Sequence, residues 1–321
     1  MNRILPLAIS VSLLSGASCG LFGHVHGQVT DTAHSAHETT TKVKTGVKAG
    51  TKLYNDVSEL TKDMDDQQEY WLGRSVATSI LDQYHYQYKD EDSIKAAKLA
   101  GITAYVNQVG NVVANAAMKN RKDDDRPNPY DGWHFVVLDA DDINAFAAPG
   151  GFILITAGAV RAAKSEDELA CVLAHEVSHV MRGHALKGIK GAHMTGAASD
   201  AFQVAGVMST EQLQEVANLM QQLIDSMLNG YKQGWSKDAE LEADVRGTEI
   251  AAKAGYDPAG LGRFLETLKK KQAGAAAGGG QDDFHTYPAV DERIGKLKGV
   301  KAGTVSPARK DRFVAAQHLL G

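Results

Sequence analysis

Residues 165–184 read SEDELACVLAHEVSHVMRGH, and this stretch constrains the fold more than any other part of the chain. A serine followed three residues later by a glutamate opens it as a capping box, and leucines and valines at helical spacing give it one apolar face. Within this predicted helix, His175 and His179 are four residues apart, so their imidazoles share a face that Glu176 borders. The pattern HExxH predicts a metal ion held by two histidines with a carboxylate beside it.

The alternative to a metal site is a helix that carries ordinary solvated histidines. A chain with 12 histidines can contain HExxH by chance, and a single short motif is only a hypothesis. Here the motif lies on a capped helix with an apolar back, and acidic residues follow downstream. This context suits a catalytic metal site, so the metal site is the better interpretation.

A catalytic zinc site takes three protein ligands and leaves the fourth position for water. His184 is the nearest candidate for the third ligand, but five residues after His179 it would lie about 140° further round the helix. It is better interpreted as a histidine that supports the ligands. Glu240 is the stronger candidate, because Asp244 follows one turn later and can accept the ring N–H of a liganding histidine. Glu242 is the rival, although it would point about 200° away from Glu240.

The totals are those of a globular protein whose partners are proteins or peptides. The chain has 321 residues, and its 43% hydrophobic content is enough for the core of one large or two smaller domains. The net charge is -5, and the lysines form only short clusters rather than a basic stripe. Nucleic acid is therefore not expected as a partner.

The first 22 residues have the pattern of an export signal, with one arginine, the apolar run ILPLAISVSLL and then small residues. Cleavage before Cys19 would leave this cysteine for lipidation and membrane attachment, whereas small residues near 25–27 favour an ordinary signal peptidase. Both outcomes imply export to the periplasm. Without a free Cys19, Cys171 is left without a cysteine partner, so no internal disulfide is expected.

Residues 23–66 are predicted to form a linker and an amphipathic helix, and residues 67–321 are predicted to form the folded domain. Within this domain, helical periodicity covers the segments 70–84, 94–118, 198–231 and 236–254 and resumes at 290. Three short strands are predicted, the last two joined as a hairpin, at 133–138, 143–147 and 152–156. A flexible loop is predicted at 273–283. The expected fold is therefore α+β and predominantly helical.

Four segments in a fixed order carry a family resemblance: NAFAAPGGFILITAGAV, EDELACVLAHEVSHVMRGHA, ELEAD and YPAVDERI. Together they resemble the HtpX and CAAX prenyl endopeptidase family of gluzincin zinc metalloproteases. The chain lacks the several hydrophobic helices of the membrane-spanning members, so it is more similar to the exported BepA/LoiP-like branch. The resemblance implies a zincin-type metallopeptidase domain with a small three-stranded sheet beside the HExxH helix.

The resemblance also implies roles for single residues. His175, His179 and Glu240 would bind one Zn²⁺ per chain, and Glu176 would be the catalytic base. Arg293 would either stabilise the oxyanion or form a structural salt bridge. Substrate would add as a strand on or beside the sheet edge formed by Asn144, Ala145, Phe146, Gly150, Gly151 and Phe152.

A gate at the metal is a further expectation from the resemblance. In exported relatives, a histidine directly before a proline can approach the zinc. Here the matching residue is Tyr287, before Pro288, and His285 lies two residues earlier. Imidazole is the better neutral ligand for zinc, so His285 is favoured over Tyr287. The alternative is an exposed loop histidine without a role.

The resulting hypothesis is an exported zinc metalloendopeptidase that hydrolyses peptide bonds, with misfolded envelope proteins as substrates. The competing hypothesis is a non-catalytic chaperone or assembly factor that binds unfolded chains in the same groove. Glu176 favours the enzyme, because a pure binding site has no need of a base beside an open metal position.

Overall fold

A computed structural model of the chain describes residues 65–84, 93–189, 234–277 and 289–320, together with residues 221, 224, 225, 227, 228, 230 and 231. All of them belong to one compact unit, Val47–Gly321. The predicted export signal with Cys19, nearly all of the 23–66 segment, and the gate candidates His285 and Tyr287 lie outside the described residues.

Helices dominate the described part of the chain, as predicted. In chain order they are α1 (Asp66–Gln83), α2 (Ser93–Lys119), α3 (Ala157–Ala162), α4 (Glu166–Met181), α5 (His184–Ile189), α6 (Lys237–Lys253), α7 (Gly260–Ala277), α8 (Val290–Leu297) and α9 (Pro307–Gln317). A short 3-10 turn, His318–Leu320, follows α9. No helix in the described ranges has both the length and the hydrophobicity of a membrane span.

The three predicted strands form one small sheet. They are β1 (His134–Leu138), β2 (Ala145–Ala148) and β3 (Phe152–Thr156), and their order in the sheet is β1-β3-β2. The central strand β3 is parallel to β1 and antiparallel to β2. Among the described residues, the strand β2 therefore pairs on one side only, as the edge of this sheet.

A 3-10 turn over Pro149–Gly151 joins β2 to β3 and completes the predicted hairpin. Gly150 has φ 68° there, a conformation that favours glycine. A Cβ on Gly150 would also lie 2.6 Å from the Cα of Tyr70 on α1. The turn therefore needs glycine both for its backbone conformation and for its packing on α1.

The HExxH helix α4 lies at the centre of the domain. All of its residues from Glu166 to Met181 are buried, and α2, β2, α6 and α7 pack against it. Leu169, Leu173 and Val177 form its predicted apolar stripe and belong to the main core. The helix that carries the predicted ligands is thus fixed by packing on several sides.

The helix α7 corrects the prediction of a flexible loop at 273–283, because it continues to Ala277. The segment contains several alanines among its glycines, and alanine has the highest helix propensity. Residues 278–283 lie outside the described residues.

Gly247 sets the distance between α6 and α4. A Cβ at this position would lie 2.9 Å from both the Cα and the backbone nitrogen of His175. Such contacts are too short for real atoms, so any larger residue must push the two helices apart. The absence of a side chain at Gly247 lets α6 reach the backbone of the first predicted ligand.

We predict that Gly247→Ala destabilises the domain by about 1–3 kcal/mol, the usual cost of an overpacked core. Gly262→Ala is the matched control, because Gly262 also lies in a helix but a Cβ there would meet nothing within 4 Å. The control should gain up to about 1 kcal/mol from helix propensity. Urea unfolding of both variants tests this, and equal effects of the two substitutions would contradict a packing role for Gly247.

Candidate metal centre

The start of α4 is fixed by side-chain caps. The hydroxyl of Ser165 accepts a hydrogen bond from the backbone N–H of Glu168 at 3.2 Å, as predicted. The carboxylate of Glu168 accepts from the backbone N–H of Lys164 at 2.9 Å, one residue before the expected cap. These contacts satisfy N–H groups that a helix start leaves open, and they fix the orientation of the helix that carries HExxH.

Three buried ligand atoms converge between α4 and α6. The Nε2 atoms of His175 and His179 are 3.0 Å apart. One carboxylate oxygen of Glu240 lies 3.5 Å from the Nε2 of His175, and the other lies 3.6 Å from the Nε2 of His179. These three residues are a group in the described chain whose donor atoms could share one ion.

The separations fit a tetrahedral ion. Zinc ligands at 2.0–2.1 Å in tetrahedral geometry lie about 3.3 Å from one another. The observed separations of 3.0–3.6 Å bracket that value. Two imidazoles and one carboxylate are also a donor set that zinc accepts in hydrolase sites. The residues present therefore fit a catalytic zinc ion.

His175 is backed by an acidic side chain and an arginine. Its Nδ1 lies 3.0 Å from an oxygen of Asp244, at hydrogen-bond distance although the ring N–H is not well aligned with it. Arg293 donates to both oxygens of Asp244, at 2.8 Å from Nε and 2.6 Å from Nη2. This chain of contacts from α8 through α6 to α4 holds the His175 ring with its Nε2 toward the other ligands.

His179 is backed by a second chain of contacts. Its Nδ1 lies 2.8 Å from the Nδ1 of His184, and the Nε2 of His184 lies 3.2 Å from Glu242. If the Nε2 of His179 bound an ion, its Nδ1 would carry the ring proton and donate a hydrogen bond to the Nδ1 of His184. Arg182 pairs with the same Glu242 at 2.7 Å. His184 thus faces the back of His179 and not the converging ligand atoms.

The path of the chain explains how His184 reaches that position. The helix α4 ends at Met181, and Gly183 then adopts φ 60° before α5 begins at His184. The prediction placed His184 by counting along one continuous helix. A left-handed residue between two helices turns the chain, which helical counting cannot represent.

Glu176 lies buried beside the ligands. Its pKa is raised to about 7, because burial and the charge of Glu240 raise it more than the neighbouring His175 lowers it. A carboxyl group that titrates near neutral pH can accept a proton and return it in one reaction cycle. The position of Glu176 gives the site a suitable acid–base group.

The ligands themselves have strongly shifted pKa values. Burial lowers the pKa of His175, but Asp244 and Glu240 outweigh burial and raise it to about 9. Burial, followed by the charge of His175, holds the pKa of His179 well below its ordinary value. Burial raises the pKa of Glu240, but its pairing with the histidines and Arg293 lowers it to about 2. Without a cation, the extra proton on His175 therefore partly compensates the buried carboxylates, whereas His179 stays neutral.

A cavity of about 160 Å³ adjoins the ligands. Its apolar lining includes Val172 of α4 and Leu261, Phe264, Leu265 and Leu268 of α7. Its lining also includes the three candidate ligands, Glu176 and two aromatic residues, Tyr231 and Trp235. No local motif marks either aromatic residue in the sequence, because the site forms through contacts between residues that are distant in sequence.

The predicted substrate edge is only partly an edge. Ala145 and Phe146 lie in the edge strand β2, and Asn144 directly precedes it. Gly150 and Gly151 instead form the buried turn, where the Gly150 N–H donates to Glu69. Phe152 belongs to the central strand β3, which is paired on both sides. The free edge beside the ligands is therefore confined to residues 144–148.

Comparison with known proteins agrees with the site. The sequence pattern of Peptidase family M48 matches residues 103–301. The beta-barrel assembly-enhancing protease of Yersinia pestis is 28% identical over 239 residues, which cover 68% of this chain and 44% of that protein. Metalloprotease LoiP of Escherichia coli (strain K12) is 32% identical over 169 residues, which cover 51% of this chain and 61% of LoiP.

The aligned region spans less than two thirds of the length of either relative. The family match covers more than half of this chain and contains the three converging ligands, Glu176 and Arg293. The chain therefore belongs to peptidase family M48, the metalloprotease family that its motifs resemble.

Proposed function

We propose that this protein is a zinc-dependent metalloendopeptidase. The observation that carries the proposal is the convergence of two imidazole nitrogens and one carboxylate within 3.0–3.6 Å, beside a buried carboxyl group and a free strand edge. His175, His179 and Glu240 would hold the ion, and Glu176 would act as general base. Zinc bound at these ligands would polarise the scissile carbonyl and acidify a water molecule.

Glu176 would move the proton in this reaction. Its carboxylate accepts a proton from the attacking water and then donates it to the leaving amine. Burial raises the pKa of Glu176, which favours uptake of this proton.

We assign Arg293 to positioning rather than to the oxyanion. Two of its donors are engaged with Asp244, and its Nη1 lies 3.5 Å from Glu240. The guanidinium thus contacts one proposed ligand directly and a second ligand through Asp244. These contacts support the salt-bridge alternative for Arg293, with a role in holding His175 and Glu240.

Substrate would bind as an additional antiparallel strand along β2. Main-chain hydrogen bonds to an edge strand give affinity for many sequences, which suits an enzyme that acts on unfolded chains. The adjacent apolar part of the cavity would receive a side chain of that strand. Peptides and unfolded proteins are therefore the proposed substrate class.

The setting we propose is the bacterial envelope. The apolar run at 4–14 supports export, and a relative is named a beta-barrel assembly-enhancing protease. Residues 1–22 would be the signal, 23–66 a linker with an amphipathic helix, and 67–321 the peptidase domain. Turnover of misfolded envelope proteins in the periplasm, with or without a lipid on Cys19, is the corresponding role. A non-catalytic chaperone is less well supported, because Glu176 has no evident use in binding alone.

We predict that Glu176→Gln retains the metal but loses about 10²–10⁴-fold of peptidase activity, because it removes the base and no ligand. Glu249→Gln is the matched control, since Glu249 is exposed on α6 and pairs with Arg246 away from the ligands. Casein hydrolysis and elemental analysis of both variants test this. Undiminished cleavage by Glu176→Gln would refute the assignment, and a chelator should abolish cleavage by the unmodified chain.

Glu240→Ala should lose metal, since it removes one of three ligands. Glu242→Ala should keep it, because Glu242 supports His179 only through His184, and Arg182 retains ion pairs with Asp124 and Asp125. Loss of a residue that contacts a ligand, rather than the metal itself, typically changes metal affinity by about 10–100-fold. Titration of each purified variant with zinc in competition with a chromophoric chelator separates the two cases. If Glu242→Ala lost more zinc affinity than Glu240→Ala, the proposed ligand set would be wrong.

Export predicts a shortened mature chain. Protein recovered from its native host should lack residues 1–18 at least, because a signal peptidase removes that segment. Intact-mass spectrometry would show either an acylated Cys19 or a later start without lipid. A retained Met1 on envelope-associated protein would contradict this expectation.

A further inference from the structure

Two residues of β2 direct their main-chain groups to the free edge of the sheet. The backbone N–H of Thr156 donates to the carbonyl of Asn144 at 3.0 Å, so Asn144 faces β3. Successive residues of a strand alternate in direction, so Phe146 and Ala148 also face β3. Ala145 and Ala147 therefore present their N–H and C=O groups outward, where an added strand would pair.

Part of this outward edge is already hydrogen-bonded within the chain. The hydroxyl of Tyr231 donates to the carbonyl of Ala147 at 2.9 Å. The side chain of Asn144 accepts from the N–H of Ala145 at 2.9 Å. The first of these contacts joins positions that are distant in sequence. It brings a residue from outside the sheet to a backbone group that substrate would need.

Aromatic contacts hold Tyr231 in this position. Its ring packs edge-on against Phe146 with centroids 5.6 Å apart, and against Trp235 with centroids 5.1 Å apart. Trp235 in turn lies 6.2 Å from His179. Burial, followed by the charge of Glu176, raises the pKa of Tyr231, so the hydroxyl stays protonated as a donor. The tyrosine thus lies between the metal centre and the strand edge.

We propose that Tyr231 competes with the substrate backbone for the carbonyl of Ala147 and thereby sets the affinity of the active site for extended chains. This inference rests on the proposed peptidase function. An incoming strand offers an N–H to Ala147, and the Tyr231 hydroxyl must release that carbonyl to make room. Each substrate then replaces the hydrogen bond between Tyr231 and Ala147 with its own hydrogen bond to Ala147. Chains that form few other hydrogen bonds with β2 are therefore disfavoured.

Removal of the hydroxyl alone tests the competition. Tyr231→Phe keeps the ring between Phe146 and Trp235 but frees the carbonyl of Ala147. A net hydrogen bond corresponds to about a 2- to 10-fold change in affinity. In the Glu176→Gln background, which leaves peptides uncut, Tyr231→Phe should tighten binding of a short fluorescein-labelled casein peptide by that factor. In the active chain it should lower KM with kcat unchanged.

Tyr105→Phe is the matched control. Tyr105 is also a partly buried tyrosine, but its hydroxyl donates to Glu166 at 2.8 Å and not to the 144–148 edge. Its loss should leave peptide affinity unchanged. Equal affinities of Tyr231→Phe and Tyr105→Phe would overturn the proposal, and so would a fall in kcat of Tyr231→Phe, which would place the hydroxyl in the chemistry.

A second measurement does not depend on the folding of any tyrosine variant. If Tyr231 leaves Ala147, its edge contact with Trp235 changes, so casein peptide should alter the tryptophan emission of the Glu176→Gln chain. Trp235→Phe identifies the source of that signal. Peptide binding without a Trp235 signal would count against displacement of Tyr231. Failure of the unmodified chain to cleave casein would refute the peptidase proposal instead, and leaves this binding assay interpretable.

Discussion

The buried charge between α4, α6 and α8 is the constraint on which the site depends. Glu176, Glu240 and Asp244 bring three carboxyl groups into a region from which water is largely excluded, and Arg293 contacts Glu240 and Asp244. Burying ionised carboxylates without compensation costs several kcal/mol for each group. A proton on His175 supplies part of the compensation, as the raised pKa of this histidine shows. A divalent cation compensates the buried negative charge without protonating a ligand, so the electrostatics of the site favour binding of a metal ion.

The charged residues of the site come from parts of the chain that are far apart in sequence. The helix α4 supplies both histidines, α6 supplies Glu240 and Asp244, and α8 supplies the arginine that holds them. Gly247 permits the contact of α6 with α4, and Asp244 connects that contact to α8. An ion at the centre would bind only when the three helices are assembled. Metal binding and folding of this domain are therefore coupled, since the unfolded chain has no preformed site.

Most of the fold and the proposed ligands could be predicted from the sequence, because these features depend on local spacing. Residues four apart on α4 and on α6 share a face, and the strand and turn signals of the hairpin are equally local. Contacts between distant segments were beyond such reasoning. Spacing could not decide whether Arg293 met an oxyanion or Asp244, nor could it place Tyr231 against Ala147. His184 was counted along a helix that in fact ends at Met181, because the sequence does not show that Gly183 adopts a left-handed conformation.

The Tyr231 contact also bears on how an edge strand is tolerated beside an active site. An unpaired edge invites pairing with any extended chain, which serves substrate binding but also aggregation. Two outward groups of β2, the carbonyl of Ala147 and the N–H of Ala145, are hydrogen-bonded to Tyr231 and Asn144. The edge therefore has fewer unpaired backbone groups than the length of β2 would suggest. A substrate strand can replace the contact with Tyr231, because both are single hydrogen bonds of comparable net free energy. A chain that forms many hydrogen bonds with β2 can displace the Tyr231 side chain and bind. A chain that forms few hydrogen bonds with β2 cannot, so nonspecific association at the edge is disfavoured. The affinity of such a site is then set by a residue that need not contact the metal.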